Sequence, residues 1–408
     1  MPSDCMAIVN SYKDCSRVSK YYNDVAGVRL PLDKAREFLP ELIPNTELWI
    51  DAGVDGLHRE VHPRGMSDSY EPYVKRFRNG AQLLEHGLAG ECSQLQVNEF
   101  VGDVLTKCSA LSPKWITVPQ VPYDTAKGTG RTKLNKQLAH ATGKWRASHL
   151  PNSRLMFPVI LCQRDALNKK MKWRNDVVKY LLSSLEKCGA DGVWVVNSDL
   201  QDEQGSHPNE EERFPGLIEF HKELRAKLAD GIRILAGPYW AMNLVLWARG
   251  LIHNPVIAIA TGYQHHISGG KVKAPSDRVA IPPLRRRVTT PSLGTWLQDA
   301  HRMLLGTAAP ASKIGGIGSS LAQAAQELAP LSRQLNRLKG ELAHEQVARF
   351  YRDWIAGLEK TPPRMRALAL HQDLSSAHVV GSILGDLPKG NKPRQAGKLA
   401  KQYMLSCL

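Results

Sequence analysis

The chain has 408 residues, a length that favours two domains or one large domain with an appendage. Apolar residues make up 42% of it and charged residues 23%, which is the composition of a folded protein and excludes wholesale disorder. Lysine and arginine total 54 against 39 acidic residues, and this formal charge of +15 favours polyanionic partners such as nucleic acid.

Seven cysteines are scattered along the chain, and their spacing matches neither a disulfide framework nor a zinc knuckle. The N-terminal segment MPSDCMAIVNSYKDC carries early charge and no long apolar stretch, unlike a signal or transit peptide. No apolar run approaches the roughly 20 residues that a membrane span needs. We therefore expect a cytoplasmic protein without membrane association.

Eight short apolar runs recur along the chain, and most of them are followed by a segment with helical periodicity. The runs are AIVN at 7, LWID at 48, QLQVN at 94, WITVPQ at 115, FPVILCQ at 157, VWVVN at 193, RILAG at 233 and VIAIAT at 256. Continuous apolarity is typical of parallel strands that are buried on both faces. The order predicts a (β/α)8 TIM-like barrel, with a doubly wound open α/β sheet as the alternative. The run at 94 is also compatible with the start of a helix.

The character of the sequence changes after about residue 285. A linker of small residues, TAAPASKIGGIGSS, precedes a stretch whose periodicity predicts two or three helices broken at Pro330. The last 49 residues carry eight basic residues against two aspartates. We therefore predict a catalytic barrel over residues 1–310 and a helical, basic C-terminal region over residues 311–408. That region either covers the barrel or binds nucleic acid.

Polar residues follow most of the predicted strands. Since the carboxyl ends of parallel strands meet at one mouth, these side chains are candidates for a site there. Asp51 is the candidate catalytic carboxylate, as nucleophile or general base. The candidates for binding a flat polar ligand are Gln120, Gln163, Asn197, Tyr239, Tyr263 and His265. Amides suit the edge of a heterocyclic base and tyrosines offer stacking faces, while turns, helix caps and core packing are the structural alternative.

Three basic runs follow predicted strand ends, where they would surround the mouth with phosphate-binding charge. The candidate phosphate contacts are Arg131, Lys133, Arg164, Lys169, Lys170, Arg285, Arg286 and Arg287, and solvated helix faces are the alternative. His58 and His62 would join Asp51 around a metal if HREVH were helical. Pro63 and the flanking glycines disfavour that helix, so we predict no metal and no cofactor. If HREVH did form a helix, these three residues would instead indicate a metal-dependent enzyme.

Three segments resemble the tRNA-guanine transglycosylase superfamily, and more closely its DNA-modifying branch, across roughly residues 45–290. WIDAG is similar to that family's strand-end Asp-Ser-Gly, and PVILCQRD is similar to its strand that ends in Gln-Gly-Gly. The stretch from IRILAG to HHISGG is similar to its strand, glycine turn, helix and next strand. The resemblance implies base exchange: a carboxylate attacks C1′ of a guanosine nucleotide, guanine leaves, and a free deazaguanine base takes its place.

The resemblance implies that Asp51 is the catalytic carboxylate at the base and that Gln163 reads the edge of the base. The chain departs from the family in two ways. The strand VIAIAT lacks the family's second aspartate, and the family's cysteine-rich zinc site is absent. Zinc is therefore not carried over, and Asp199 and Asp55 are the candidates for the second carboxylate.

The expected function is the exchange of guanine for a deazaguanine base in DNA or tRNA. Its partners would be the nucleic acid and a free modified purine base. One alternative is a non-catalytic barrel that binds nucleic acid within a larger assembly, and another is a small-molecule hydrolase or lyase. Partner proteins and a homodimer stay open.

Overall fold

The computed structural model describes most of the chain. The described residues are 4–9, 12–42, 46–61, 70–123, 129–149, 152–161, 171–197, 210–258, 278–289, 293–311, 317–387 and 394–408. The chain divides into two compact units, of which the first comprises Met1–Asp202, Pro215–Tyr239 and Leu251–Lys273. The second comprises Glu203–Phe214, Trp240–Gly250 and Ala274–Leu408. The boundary predicted near residue 310 falls inside this second unit.

The first unit contains a closed barrel of eight parallel strands. They are β1 (Met6–Ile8), β2 (Gly27–Pro31), β3 (Glu47–Asp51), β4 (Trp115–Thr117), β5 (Arg154–Leu161), β6 (Gly192–Asn197), β7 (Arg233–Ala236) and β8 (Asn254–Ala258). Strand β8 pairs in parallel with β1 and closes the barrel. The predicted (β/α)8 barrel is therefore confirmed, and the open sheet is excluded.

Helices alternate with these strands along the chain. They are α1 (Tyr12–Tyr21), α2 (Ala35–Phe38), α3 (Tyr70–Val74), α4 (Gly80–Gln82), α5 (Gln94–Ser109), α6 (Gly130–His149), α7 (Met171–Cys188) and α8 (Glu210–Lys227). The alternation places a long helix after each of several strands, as the (β/α)8 fold requires.

The strand predicted at 94 is wrong, because QLQVN begins α5. Ser93 caps this helix: its hydroxyl accepts the N–H of Gln96, and the Gln96 side chain accepts the N–H of Ser93. This reciprocal capping box satisfies two backbone or side-chain donors at the start of the helix and stabilises its N-terminus. Asn98 and Glu99, which a strand would have carried towards the mouth, lie on α5 instead.

The strand that the apolar pattern missed is β2. Its sequence GVRLP contains an arginine, and that charge breaks the continuous apolarity by which the other strands were recognised. Arg29 is nevertheless only 3% exposed, because it is paired with a carboxylate inside the barrel. A buried ion pair therefore concealed one strand from a pattern that searches for apolar runs.

Tryptophan side chains fill the barrel. Trp49, Trp115 and Trp194 are fully buried, and the rings of Trp49 and Trp194 meet edge to face with centroids 5.0 Å apart. The indole N–H of Trp49 donates to the hydroxyl of Thr117 at 2.8 Å, and that of Trp194 donates to the carbonyl of Gly237 at 2.9 Å. With these polar groups satisfied, the barrel interior is a packed core.

A polar network lies at the amino-terminal end of the barrel. Glu47, the first residue of β3, accepts the indole N–H of Trp115 at 3.0 Å and pairs with Arg233, the first residue of β7. The Nε–H of Arg233 donates to Asn254 of β8 at 2.7 Å. The network connects four strands, β3, β4, β7 and β8, at the amino-terminal end of the barrel, where interactions contribute to stability.

The second unit contains helices and short hairpins. Its elements are α9 (Ala241–Ala248), β9 (Arg278–Ile281), β10 (Arg286–Thr289), α10 (Gly294–Ala311), α11 (Ile317–Gln334), α12 (Glu341–Glu359), α13 (Arg366–Leu384), β11 (Asp386–Leu387), β12 (Arg394–Gln395) and α14 (Lys398–Ser406). Strand β9 pairs antiparallel with β10, and β11 with β12. The helical character predicted for the C-terminal region is confirmed.

The predicted break at Pro330 is wrong, because α11 continues through it. Leu328 and Leu331 on either side are buried in the core of the second unit, and this packing outweighs the hydrogen bond that proline cannot form. Among the described residues, no helix combines the length and apolarity that would cross a membrane.

Candidate functional site

Asp51 ends β3, and its side chain enters the carboxyl-terminal mouth of the barrel. Alternation along the strand puts both Trp49 and Asp51 on the inner face. Gly53 has a φ of +65°, which glycine adopts without a steric cost, and its N–H donates to Oδ1 of Asp51 at 2.8 Å. The glycine turn therefore fixes the orientation of the carboxylate.

The Arg29 guanidinium binds the other oxygen of Asp51. Its Nε–H donates to Oδ2 at 2.7 Å, and its Nη2 donates to the same oxygen. Both residues are only 3% exposed. The guanidinium carbon also lies 5.4 Å from the ring centroid of Trp194. These contacts hold an ion pair within the inner layer of the barrel.

A small recess, part of it open to solvent, lies at this mouth. It is lined by Asp51, Ala52, Val54, Asp55, Thr117, Val118, Pro119, Gln120, Pro158, Ile160 and Trp194. Asp55 belongs to the helical turn Val54–Val61 that follows β3, and it is 8% exposed. Two carboxylates that the sequence suggested as catalytic candidates therefore meet in one recess.

The surroundings of Asp51 act on its protonation in opposite directions. Burial raises the pKa of its carboxyl group above the ordinary value, the Arg29 guanidinium opposes that rise, and the Asp55 carboxylate adds to it. The net effect is a raised pKa, which suits a group that gives and takes a proton.

Tyr73 of α3 lies beside the same turn. Its hydroxyl donates to the carbonyl of Ala52 at 3.0 Å, and burial raises its pKa well above the ordinary value. The phenol therefore stays protonated and anchors the backbone next to Asp51.

Gln120 lines the recess, but both ends of its side-chain amide form hydrogen bonds with other protein groups. The nitrogen donates to the carbonyls of Pro119 at 2.7 Å and Asn135 at 3.3 Å, and the oxygen accepts the hydroxyl of Tyr180 at 2.7 Å. These contacts give Gln120 a structural role in the segment after β4.

Asn197 and Tyr239 do not line the recess. Alternation along β6 puts Trp194 and Val196 inside the barrel, so Asn197 faces outward. Tyr239 is fully buried, and its hydroxyl donates to the carbonyl of Val195 at 2.8 Å. A buried ring offers no stacking face to a ligand.

The three arginines of the second unit that were predicted to bind phosphate are buried or contact other side chains. Arg285 forms an ion pair with Asp373 at 2.8 Å, and Arg286 is buried. The guanidinium of Arg287 lies 4.5 Å from the ring centroid of Trp240. Of the two candidates on α6, Lys133 is exposed and Arg131 is half-buried.

Several predicted residues lie outside the described residues and stay predictions. They are Gln163, Arg164, Lys169, Lys170, Asp199, Tyr263 and His265, together with His62 and the side chain of His58. Among the side chains that the structure describes, no group of three or more histidine, cysteine, aspartate or glutamate residues is arranged to hold a metal ion.

Sequence patterns missed Arg29 and Thr117, which complete the site with Asp51. Arg29 belongs to the strand that was not predicted. Thr117 lies two residues after Trp115, so the same alternation that turns that tryptophan inward would have found it.

Comparison with known proteins identifies no family. No protein-family model matches the chain, and no curated protein does. One solved structure, a probable tagatose 6 phosphate kinase from Sinorhizobium meliloti 1021, has 10% sequence identity and a TM-score of 0.32. The alignment covers 99% of this chain and 100% of that one. A TM-score this low supports no inference about function.

Proposed function

We propose that this barrel is a base-exchange enzyme that replaces guanine with a deazaguanine base in DNA or tRNA. The observation that supports the proposal is the meeting of Asp51 and Asp55 in one recess at the mouth. Base exchange needs two functions, attack on C1′ and proton transfer to the leaving base, and a pair of carboxylates in different surroundings supplies both.

The surroundings of the two carboxylates suggest their roles. Asp51 has a raised pKa, so it is assigned to proton transfer at the base. Asp55 is assigned to the attack: its oxygen bonds to C1′ while the bond from C1′ to guanine breaks, and Asp51 protonates the departing nitrogen. The deazaguanine then loses a proton to Asp51 and attacks C1′, which releases the Asp55 carboxylate.

The test is incorporation of radiolabelled guanine into duplex DNA and, separately, into bulk tRNA. The wild type should label one polymer, and Asp51→Asn and Asp55→Asn should each reduce the rate by about 10²–10⁴-fold. The control is Asp191→Asn. Asp191 precedes β6 at the opposite end of the barrel and also pairs with an arginine, Arg146, at 2.9 Å. This variant should retain incorporation.

Failure to label either polymer would overturn the proposal. Intact binding of nucleic acid without incorporation would favour the non-catalytic binding barrel. Metal in the purified protein, together with activity that a chelator abolishes, would favour the hydrolase or lyase that uses Asp51, His58 and His62 as ligands.

A further inference from the structure

Helix α6 differs in charge from the other long helices of the first unit. Its 20 residues include five lysines and arginines and no acidic residue. Helices α1, α5, α7 and α8 each carry at least one aspartate or glutamate. Without a carboxylate of its own, α6 projects a positive field that no neighbour along the helix neutralises.

Five of the exposed residues of α6 lie along one line, which we call the α6 stripe, while Ser148 and His149 in the last turn lie outside it. It consists of Lys133, Lys136, His140, Lys144 and Ala147. At 3.6 residues per turn these positions fall within an arc of about 80°. A rise of 1.5 Å per residue puts Lys133 and Lys144 about 16 Å apart along the helix axis. The stripe is therefore narrow and straight.

The α6 stripe begins near the mouth of the barrel. Asn135, in the second turn of α6, bonds to the backbone of Val121, which follows β4. Arg146, in the last turn, pairs with Asp191, which directly precedes β6. Since all strands point towards the mouth, the Lys133 end of the stripe lies near the mouth, and the stripe runs away from it.

The lysines of the stripe form no ion pair with any residue that the structure describes. Three other lysines of the first unit, Lys75, Lys222 and Lys227, each pair with a glutamate three or four residues away. Such pairing is the usual arrangement on a solvated helix face. No carboxylate of the described residues pairs with the three stripe lysines, so within that part of the chain their ammonium groups are available to an external anion.

We infer that the α6 stripe is a docking surface for the phosphate backbone of a nucleic acid. The inference rests on the proposed function in taking the polyanion to be DNA or tRNA. Its exposed members include no large apolar side chain, which a helix needs to insert into a membrane surface. They also lack the aromatic residues and arginines that anchor protein interfaces. A row of lysines alone suits contacts with phosphates that do not depend on sequence.

The test measures binding of the full-length protein to a duplex DNA and to bulk tRNA at several salt concentrations. The stripe variant is Lys133→Gln, Lys136→Gln and Lys144→Gln combined. The control combines Lys75→Gln, Lys222→Gln and Lys227→Gln, which removes the same charge from paired lysines. The slope of log K against log salt should become shallower by about 0.9 per stripe lysine for duplex DNA, and the control should leave the slope nearly unchanged.

The stripe variant should bind at least about tenfold more weakly than the control at low salt. Equal slopes in both variants would overturn the inference, because they would assign the binding to net charge alone. Binding to phosphatidylserine vesicles without binding to nucleic acid would also overturn it. A failure of base exchange by the wild-type protein, together with an intact effect of the stripe variant on binding, would refute only the proposed function.

Discussion

Arg29 on β2 and Asp51 on β3 form an ion pair across adjacent barrel strands, with both side chains buried. The strand register sets Asp51 beside Pro31, so the arginine reaches the carboxylate diagonally from two residues earlier. An uncompensated charge at this depth is costly, so each member of the pair depends on the other, and the pair is also part of the candidate site.

Replacing Arg29 with methionine should destabilise the protein by about 3–5 kcal/mol, because Asp51 would be left as a buried carboxylate without its counterion. Urea denaturation of the wild type and the variant measures the change. The double variant Arg29→Met with Asp51→Asn should recover part of the loss. Equal stability of the single and double variants would contradict a role for the carboxylate charge.

The raised pKa of Asp51 predicts a pH dependence of stability. Below its ordinary value of 3.8 the carboxyl is protonated in both the folded and the unfolded chain. As the pH rises, the unfolded chain ionises first, so the contribution of Asp51 to folding decreases until the folded pKa is passed. The free energy of unfolding of the wild type minus that of Asp51→Asn should therefore fall above about pH 4. A rising difference would mean that Arg29 dominates and lowers the pKa.

Most of the barrel could be predicted from sequence because buried parallel strands are continuously apolar. Seven of the eight predicted runs coincide with barrel strands. The strand predicted at 94 was wrong because this segment is helical: Val97, Val101 and Val104 repeat with the period of a helix. A short run of apolar residues does not distinguish a helix from a strand. Strand β2 was missed because it contains a charged residue, Arg29. That charge is buried only because Arg29 pairs with Asp51, which lies 22 residues later in the chain.

The candidate site was harder to predict, because a polar residue at the end of a strand has two possible directions. Asp51 ends β3 on the inner face, whereas Asn197 ends β6 on the outer face, and a shift of one residue separates the two outcomes. Gln120 shows a second limit. It reaches the recess, yet its hydrogen bonds go to Asn135 and Tyr180, which are distant in sequence.

Asn135 should be important for the segment that carries Gln120. Its side chain donates to the carbonyl of Val121 at 2.9 Å and accepts the N–H of the same residue at 2.8 Å. Asn135→Ala would leave both buried backbone groups unsatisfied, so we expect a loss of about 2–4 kcal/mol in thermal or urea unfolding. The control Asn98→Ala on α5 removes a half-exposed amide and should cost less than about 1 kcal/mol.

Helices α6 and α7 approach each other closely at Gly143, so adding a single methyl group there should change the stability of the protein. A Cβ at Gly143 would overlap the backbone carbonyl of Lys187, which cannot move aside as a flexible side chain would. Gly143→Ala should therefore destabilise the protein by about 1–3 kcal/mol, although alanine is the better helix former. Gly102 on α5 has open space around its Cβ position, so Gly102→Ala should instead stabilise the protein by about 0.5–1 kcal/mol. Urea denaturation of both variants distinguishes packing from helix propensity, and a stabilising effect at Gly143 would contradict the tight contact.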